Sequence, residues 1–171
     1  MDVLAHGLWG GALFGRKSPW QWRWAFLLGS APDVLAFGPF LVSQFGTRNW
    51  REFPLYVHQS YNVTHSLVVW AAVAGAVWYF RKSFPWVFGA WGLHIFCDIP
   101  LHEIDFFPTP YLWPLPTPLV NGMRWAQPSL MIPNYLALGI TYALLIGVRY
   151  RRQKARRAFR DKPFGADDPI R

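Results

Sequence analysis

Five apolar segments run through this chain, and its Lys and Arg residues gather mainly between and after them. The segments cover about residues 3–14, 22–45, 64–80, 84–99 and 130–148. A helix that crosses a bilayer needs about 20 predominantly apolar residues. The pattern therefore predicts an all-α fold, an integral membrane helical bundle of about five segments. The first and fourth segments are short, and are expected as half-spans or as tilted helices packed inside the bundle. That shortness also leaves an all-soluble helical protein as an alternative. Against it stands the aromatic content of 19%, with 11 Trp, which suits the interfacial belts of a membrane protein. At 171 residues the chain fits one domain, expected over residues 1–150, with 151–171 as a basic, partly disordered tail.

The net charge of +8 is concentrated rather than spread. Arg16 and Lys17 part the first two segments, Arg81 and Lys82 part the third and fourth, and a dense run from Arg149 to Lys162 follows the fifth. With Arg23 and Arg171 counted among these regions, only Arg48, Arg51 and Arg124 of the 17 Lys and Arg lie elsewhere. The positive-inside rule puts the three basic regions in the cytoplasm and the chain in the cytoplasmic (inner) membrane. The N-terminus and the loops 46–63 and 100–129 then face outward. A basic run directly after an apolar segment suits anionic lipid, so membrane lipid is the expected partner and nucleic acid is not. The single Cys97 excludes an internal disulfide and a cysteine zinc knuckle. Met1-Asp2 opens without a basic stretch, and no cleavable signal peptide is expected. Residues 100–133 carry more than half of the 15 prolines, interleaved with Phe106, Phe107, Tyr111 and Trp113. Such a run cannot be regular helix, and it predicts an extended Pro/aromatic cap over the outer face.

Five ionisable residues interrupt the apolar segments: His6, Asp33, His65, His94 and Asp98. Such groups are costly at membrane depth unless paired or metal-bound, and all five are of types that ligate metals. His94-x-x-x-Asp98 places both side chains on one helical face, about 6 Å apart along the axis, within reach of one ion. A simple hydrogen-bonded couple is the alternative. Thr64 suits an N-cap, which would hold His65 at a water-exposed rim where an ion can enter. Asp33 follows a helix-breaking proline, and could instead cap a re-entrant helix. His6 has small neighbours that permit close helix approach, and Asp2 lies four residues earlier, placed to orient its ring. Four separate segments thus send ligands to the outer side. A mixed His/Asp set suits a divalent ion, zinc first and manganese as the alternative. Asp33 or Asp98 is then a candidate catalytic base. His102 and Glu103 could add a ligand or a base from the outer loop, and Arg124 could hold an anionic head group.

The order and context of these residues resemble the bacterial membrane-bound metal-dependent hydrolase family: His6 near the start, Ala31-Pro32-Asp33, Thr64-His65-Ser66 and His94-x-x-x-Asp98. The resemblance covers about residues 1–150. The His/Asp pattern is also similar to the all-α site of zinc-dependent phospholipase C. It implies metal ligands at His6, Asp33, His65, His94 and Asp98. It also implies a hydrolase; the reaction expected is hydrolysis of an ester or phosphoester, and because no aqueous domain is evident, a lipid or membrane-delivered substrate is the natural choice. Many family members carry Pro-Asp-x-Asp; here Leu35 replaces the second acid, which removes a ligand a second metal would use. Two other readings remain open. The same residues could relay cations or protons in a transporter, or could form a structural cluster in a non-catalytic membrane protein.

Overall fold

The computed structural model describes residues 1–45 and 53–160. Within them the regular elements are all helical: α1 (Val3–Phe14), α2 (Pro19–Ser43), α3 (Leu55–Thr64), α4 (Leu67–Arg81), α5 (Gly89–Asp98) and α6 (Pro128–Arg160). A 3-10 turn, Trp86–Phe88, leads into α5. Two helices, α2 and α6, are long and apolar enough to cross a membrane. A third crossing exists if α3 and α4 act as one span bent by 56°. By contrast α1 has 12 residues and α5 has 10. Their lengths of about 18 and 15 Å reach about halfway through a hydrocarbon core of about 30 Å. Five equivalent segments therefore become two or three long elements with two short helices packed among them.

The chain departs from the expected boundaries at two places. Pro32 and Pro39 do not break α2, which continues through both for 25 residues. Each proline ring already holds a helical φ and only withholds one donor, freeing the carbonyls of Leu28 and Leu35, a loss that helices in apolar surroundings tolerate. Asp33 is therefore a mid-helix residue and caps nothing. The second departure is at residues 64–66. Thr64 ends α3 instead of starting a helix, and Ser66 is the cap of α4, accepting from Val68 N at 3.1 Å and Val69 N at 3.2 Å. The carbonyls at the end of α3 find other donors. Tyr61 O accepts from His65 N at 2.9 Å, and Thr64 O from the Trp91 indole at 2.7 Å. A buried break holds because its free backbone groups are satisfied.

Close packing of α1 on α2 sets the distance between the functional residues. Gly7, Gly11 and Gly15 fall four apart, in one row facing α2. A Cβ on Gly7 would lie 2.4 Å from Ser30 Oγ, and one on Gly11 would lie 2.6 Å from Trp22 Nε1. Small residues at this spacing let helix backbones approach where lipid supplies no hydrophobic drive. From the other side Gly29 leaves room for the backbone of α1, since a Cβ there would stand 2.6 Å from His6 O.

Helix α6 lies along α1, tied by polar side chains. Trp9 Nε1 donates to Asn134 Oδ1 at 2.9 Å, Tyr142 Oη to Leu8 O at 2.8 Å, and Tyr135 Oη to Asp2 Oδ1 at 2.8 Å. Leu138 is buried, but most of its other apolar side chains are exposed, including Ile132, Leu136, Ile140 and Leu144. A contiguous face of that kind marks contact with something other than water. The helix runs unbroken across the 150/151 boundary, so the basic segment begins as helix. Residues 161–171, with Lys162 and Arg171, lie outside the described residues, as do Arg48 and Arg51. The basic regions meet at one end of the molecule. Arg149 Nη2 reaches Arg16 O at 3.5 Å, and Arg81 lines a cleft of about 500 Å³ with Trp20, Trp24 and Trp86.

Residues 99–127 form turns without helix or strand. Backbone bonds fold this segment on itself, with Gly122 N to His102 O at 2.9 Å and Met123 N to Pro100 O at 2.8 Å. Others fasten it to the α3–α4 break, with Leu67 N to Tyr111 O at 2.9 Å and Ser66 Oγ donating to Trp113 O. Phe107 enters a small core with Ala36, Phe40, Val57 and Tyr61, which closes one side of the site.

Candidate metal centre

Asp33, His65, His94 and Asp98 converge in the interior from three directions: mid-α2, the α3–α4 break, and the last turn and a half of α5. One donor atom from each lies within 4.8 Å of all the others, so the group can hold a metal ion. His94 Nε2 stands 3.0 Å from His65 Nε2, 3.2 Å from Asp98 Oδ2 and 3.7 Å from Asp33 Oδ1. His65 Nε2 stands 3.4 Å from Asp33 Oδ1 and 3.7 Å from Asp98 Oδ2. The expectation of a water-exposed rim for His65 fails: the ring is fully buried. Its position at the α3 terminus, under the 99–127 segment, encloses it.

The hydrogen bonds on the far sides of the rings fix what the near sides offer. His94 Nδ1 donates to Gly29 O at 2.7 Å, and His65 Nδ1 to Tyr61 O at 3.2 Å, with Thr64 Oγ1 3.0 Å away. A carbonyl oxygen can only accept, so each Nδ1 carries a proton and each neutral ring presents a bare Nε2 lone pair to the centre. Two such lone pairs 3.0 Å apart, beside two carboxylates, repel one another. A cation among them, whether a proton on one ring or a metal ion shared by all four, removes that conflict. Asp98 supplies a second sign of the same need. Its Oδ2 is buried with no hydrogen-bond partner, although three imidazole nitrogens stand 3.2 to 3.7 Å away. An orphaned buried carboxylate oxygen is costly, and an ion satisfies it.

His6 comes to the site but outside the four-donor group. Its Nε2 donates to Asp98 Oδ1 at 2.9 Å, and its ring stacks on His94 with centroids 3.6 Å apart. The amine of Met1 donates to the same Oδ1. In this arrangement His6 orients Asp98 from behind, leaving Oδ2 to face the centre. Asp2 does not orient the His6 ring: its carboxylate caps α1 by accepting from Ala5 N at 3.0 Å and also accepts from Tyr135.

His102 comes closer to the centre than its sequence context suggests. Helix α5 ends at Asp98, and Pro100 lacks the donor to extend it. The turn that follows, with Leu101 N bonded to Asp98 O at 3.1 Å, still leaves His102 Nε2 3.7 Å from Asp98 Oδ2. Its Nδ1 donates to Phe107 O at 2.7 Å, so a third imidazole is held with Nε2 inward. Tyr61, unremarked in the sequence, organises this side. Its hydroxyl donates to Phe107 O at 2.9 Å, lies 3.0 Å from His102 Nδ1, and its ring stacks on His65 at 3.8 Å. The one signal for it was position, four residues before His65 on the same helix. Glu103 and Arg124 do not touch the four donors; with His102 they line an adjoining cleft of about 290 Å³. No family model, curated protein or solved structure matches the chain.

Proposed function

We propose that this chain is a membrane-embedded, metal-dependent hydrolase acting on an ester or phosphoester bond, as its resemblance to the membrane-bound metal-dependent hydrolases implies. The observation that carries the reading is the set of bare Nε2 and carboxylate donors closing on one buried point. Zinc is the favoured ion and manganese the alternative. A tetrahedral zinc site with bonds of about 2.0–2.2 Å has donor–donor edges of about 3.3–3.6 Å. The three edges among His65, His94 and Asp98 are 3.0, 3.2 and 3.7 Å, and Asp33 Oδ1 stands beside them at 3.4 and 3.7 Å from the two imidazoles. Two carboxylates also balance a divalent charge.

A divalent ion bound there supplies acidified water and polarises the scissile bond. His65, His94 and Asp98 would hold it, and His6 keeps Asp98 in register. Asp33 is the member best placed as general base, since it is 6% exposed while the other three are at 0 or 1%. It takes the proton of the attacking water and returns it to the leaving alcohol. Orientation follows from the shared basic end formed by Arg16, Arg81 and Arg149. With that end cytoplasmic, the site lies towards the outer side.

The test is turnover of phosphate monoesters, phosphodiesters and carboxylic esters by purified protein, stripped of metal and then restored with zinc or manganese. Activity is expected only after restoration. Asp33→Asn is expected to lower kcat by about 10²–10⁴-fold, the usual contribution of a general base. No turnover of any ester class with either ion would sink the hydrolase reading. Full activity in Asp33→Asn would remove Asp33 from its role.

A further inference from the structure

Three clefts share walls in series, and His102, beside the metal centre, borders the first of them. The first, about 290 Å³, is walled by His102, Glu103, Arg124 and Trp125. Leu101 and Trp125 also wall a second of about 170 Å³, which passes Asp2 to reach Leu130 and Met131. Met131 then borders a third of about 400 Å³, completed by Ile132, Tyr135 and Leu136 on α6. Chemical character changes along this path. Its inner end offers a guanidinium, a carboxylate and an imidazole within 3.7 Å of Asp98 Oδ2. Its outer end is hydrocarbon, where Ile132 and Leu136 are 59% and 62% exposed on the apolar face of α6.

We propose that this path is a side entrance from the membrane for a single-chain lipid phosphate, whose head group docks at Arg124 while its acyl chain lies along α6. Among the described residues Arg124 enters no ion pair, so its guanidinium is free to take a phosphate in a two-pronged contact. Glu103 in the same cleft accepts from a hydroxyl of the head group, which favours a polyol phosphate over a bare one. Leu130, Met131 and Leu136 cover the chain, and the middle cleft, the smallest of the three at about 170 Å³, favours one chain over two. The path ends at His102, whose Nε2 stands 3.7 Å from Asp98 Oδ2, so this one side chain links the Arg124 cleft to the metal donors. What happens at that inner end rests on the hydrolase reading; the binding does not.

The experiment measures binding of radiolabelled lysophosphatidic acid to the full chain in phosphatidylcholine nanodiscs, with empty discs subtracted. The background is Asp33→Asn without added metal, so that turnover cannot consume the probe. Glycerol phosphate supplies the head without the chain, and monooleoylglycerol the chain without the anion. Saturable binding of lysophosphatidic acid is expected, with each half-probe weaker by about tenfold or more. Arg124→Gln is expected to weaken the lipid phosphate and glycerol phosphate alike by about tenfold. Met131→Trp, which fills the neck, is expected to weaken only the lipid. Glycerol phosphate binding as tightly as the lipid would overturn the proposal in favour of a water-soluble phosphoester. So would unchanged lipid affinity in both variants. Binding that behaves as expected beside a wild type with no turnover would keep the side entrance and discard the hydrolase.

Discussion

Asp98→Ala is expected to abolish metal binding and, with it, any stabilisation that metal confers. Asp98 is the residue on which the site converges: His6 donates to its Oδ1, while His65, His94 and His102 surround its Oδ2. Loss of a partner outside the ligand set commonly costs about 10–100-fold in metal affinity, and loss of a ligand at the centre costs more. An ion at 100 times its dissociation constant stabilises the folded chain by about 2.7 kcal/mol. Thermal unfolding with and without zinc therefore separates the two proteins. The wild type should shift upward on metal addition, and Asp98→Ala should not move. In the absence of metal the variant leaves four imidazoles without their shared acid, and Asp98→Asn, which keeps the volume, distinguishes lost ligation from lost packing. An equal metal-induced shift in wild type and Asp98→Ala would show that the ion binds elsewhere.

Gly29→Leu is expected to be strongly damaging although it lies outside the donor set. A Cβ at Gly29 meets His6 O at 2.6 Å, a backbone atom that cannot rotate away. The helices must then part, and the same movement carries His6 from Asp98 and withdraws Gly29 O from His94 Nδ1, to which it is bonded at 2.7 Å. Overpacking of this kind costs about 1–3 kcal/mol and more where the neighbour is rigid. Gly75→Leu and Gly139→Leu are the controls, because a Cβ at either glycine meets nothing within 4 Å. Unfolding in a graded detergent series should show Gly29→Leu well below wild type and both controls near it. Equal stability of all four would mean that α1 and α2 are not packed this closely.

Much of the site could be read from the chain because of one physical cost. An acid or imidazole in an apolar segment needs a partner, and Asp33 and His65 have no oppositely disposed group nearby in sequence, while the local pairs His94/Asp98 and Asp2/His6 leave donors to spare. Long-range convergence was the natural solution, and the structure brings all five together. The i, i+4 relation of His94 and Asp98 was legible for the same reason, since a helix supplies it locally. What resisted reading was backbone behaviour. Pro32 looked like a break in α2, because local sequence does not show that surrounding helices can carry a proline. The cap falls at Ser66 and not at Thr64, because both residue types cap helices and the packing of α3 decides between neighbours so close in sequence. His102 was underrated because Pro100 ends the helix, yet a turn after a helix can preserve the same direction. Gly29 O, which sets the tautomer of His94, is a backbone atom and has no signature in residue type. The Gly7, Gly11, Gly15 row was present as a spacing, and it gains meaning only once α2 is known to lie against it.

The measurement to make first is the metal content of detergent-purified full chain by elemental mass spectrometry, beside His65→Ala and Asp98→Asn proteins of matching elution profile. About one zinc or manganese per chain is expected in the wild type, falling to background in both variants. A folded wild type that holds no ion, even after reconstitution with either metal, would contradict the metal centre and leave the His/Asp cluster as a proton-bridged packing element.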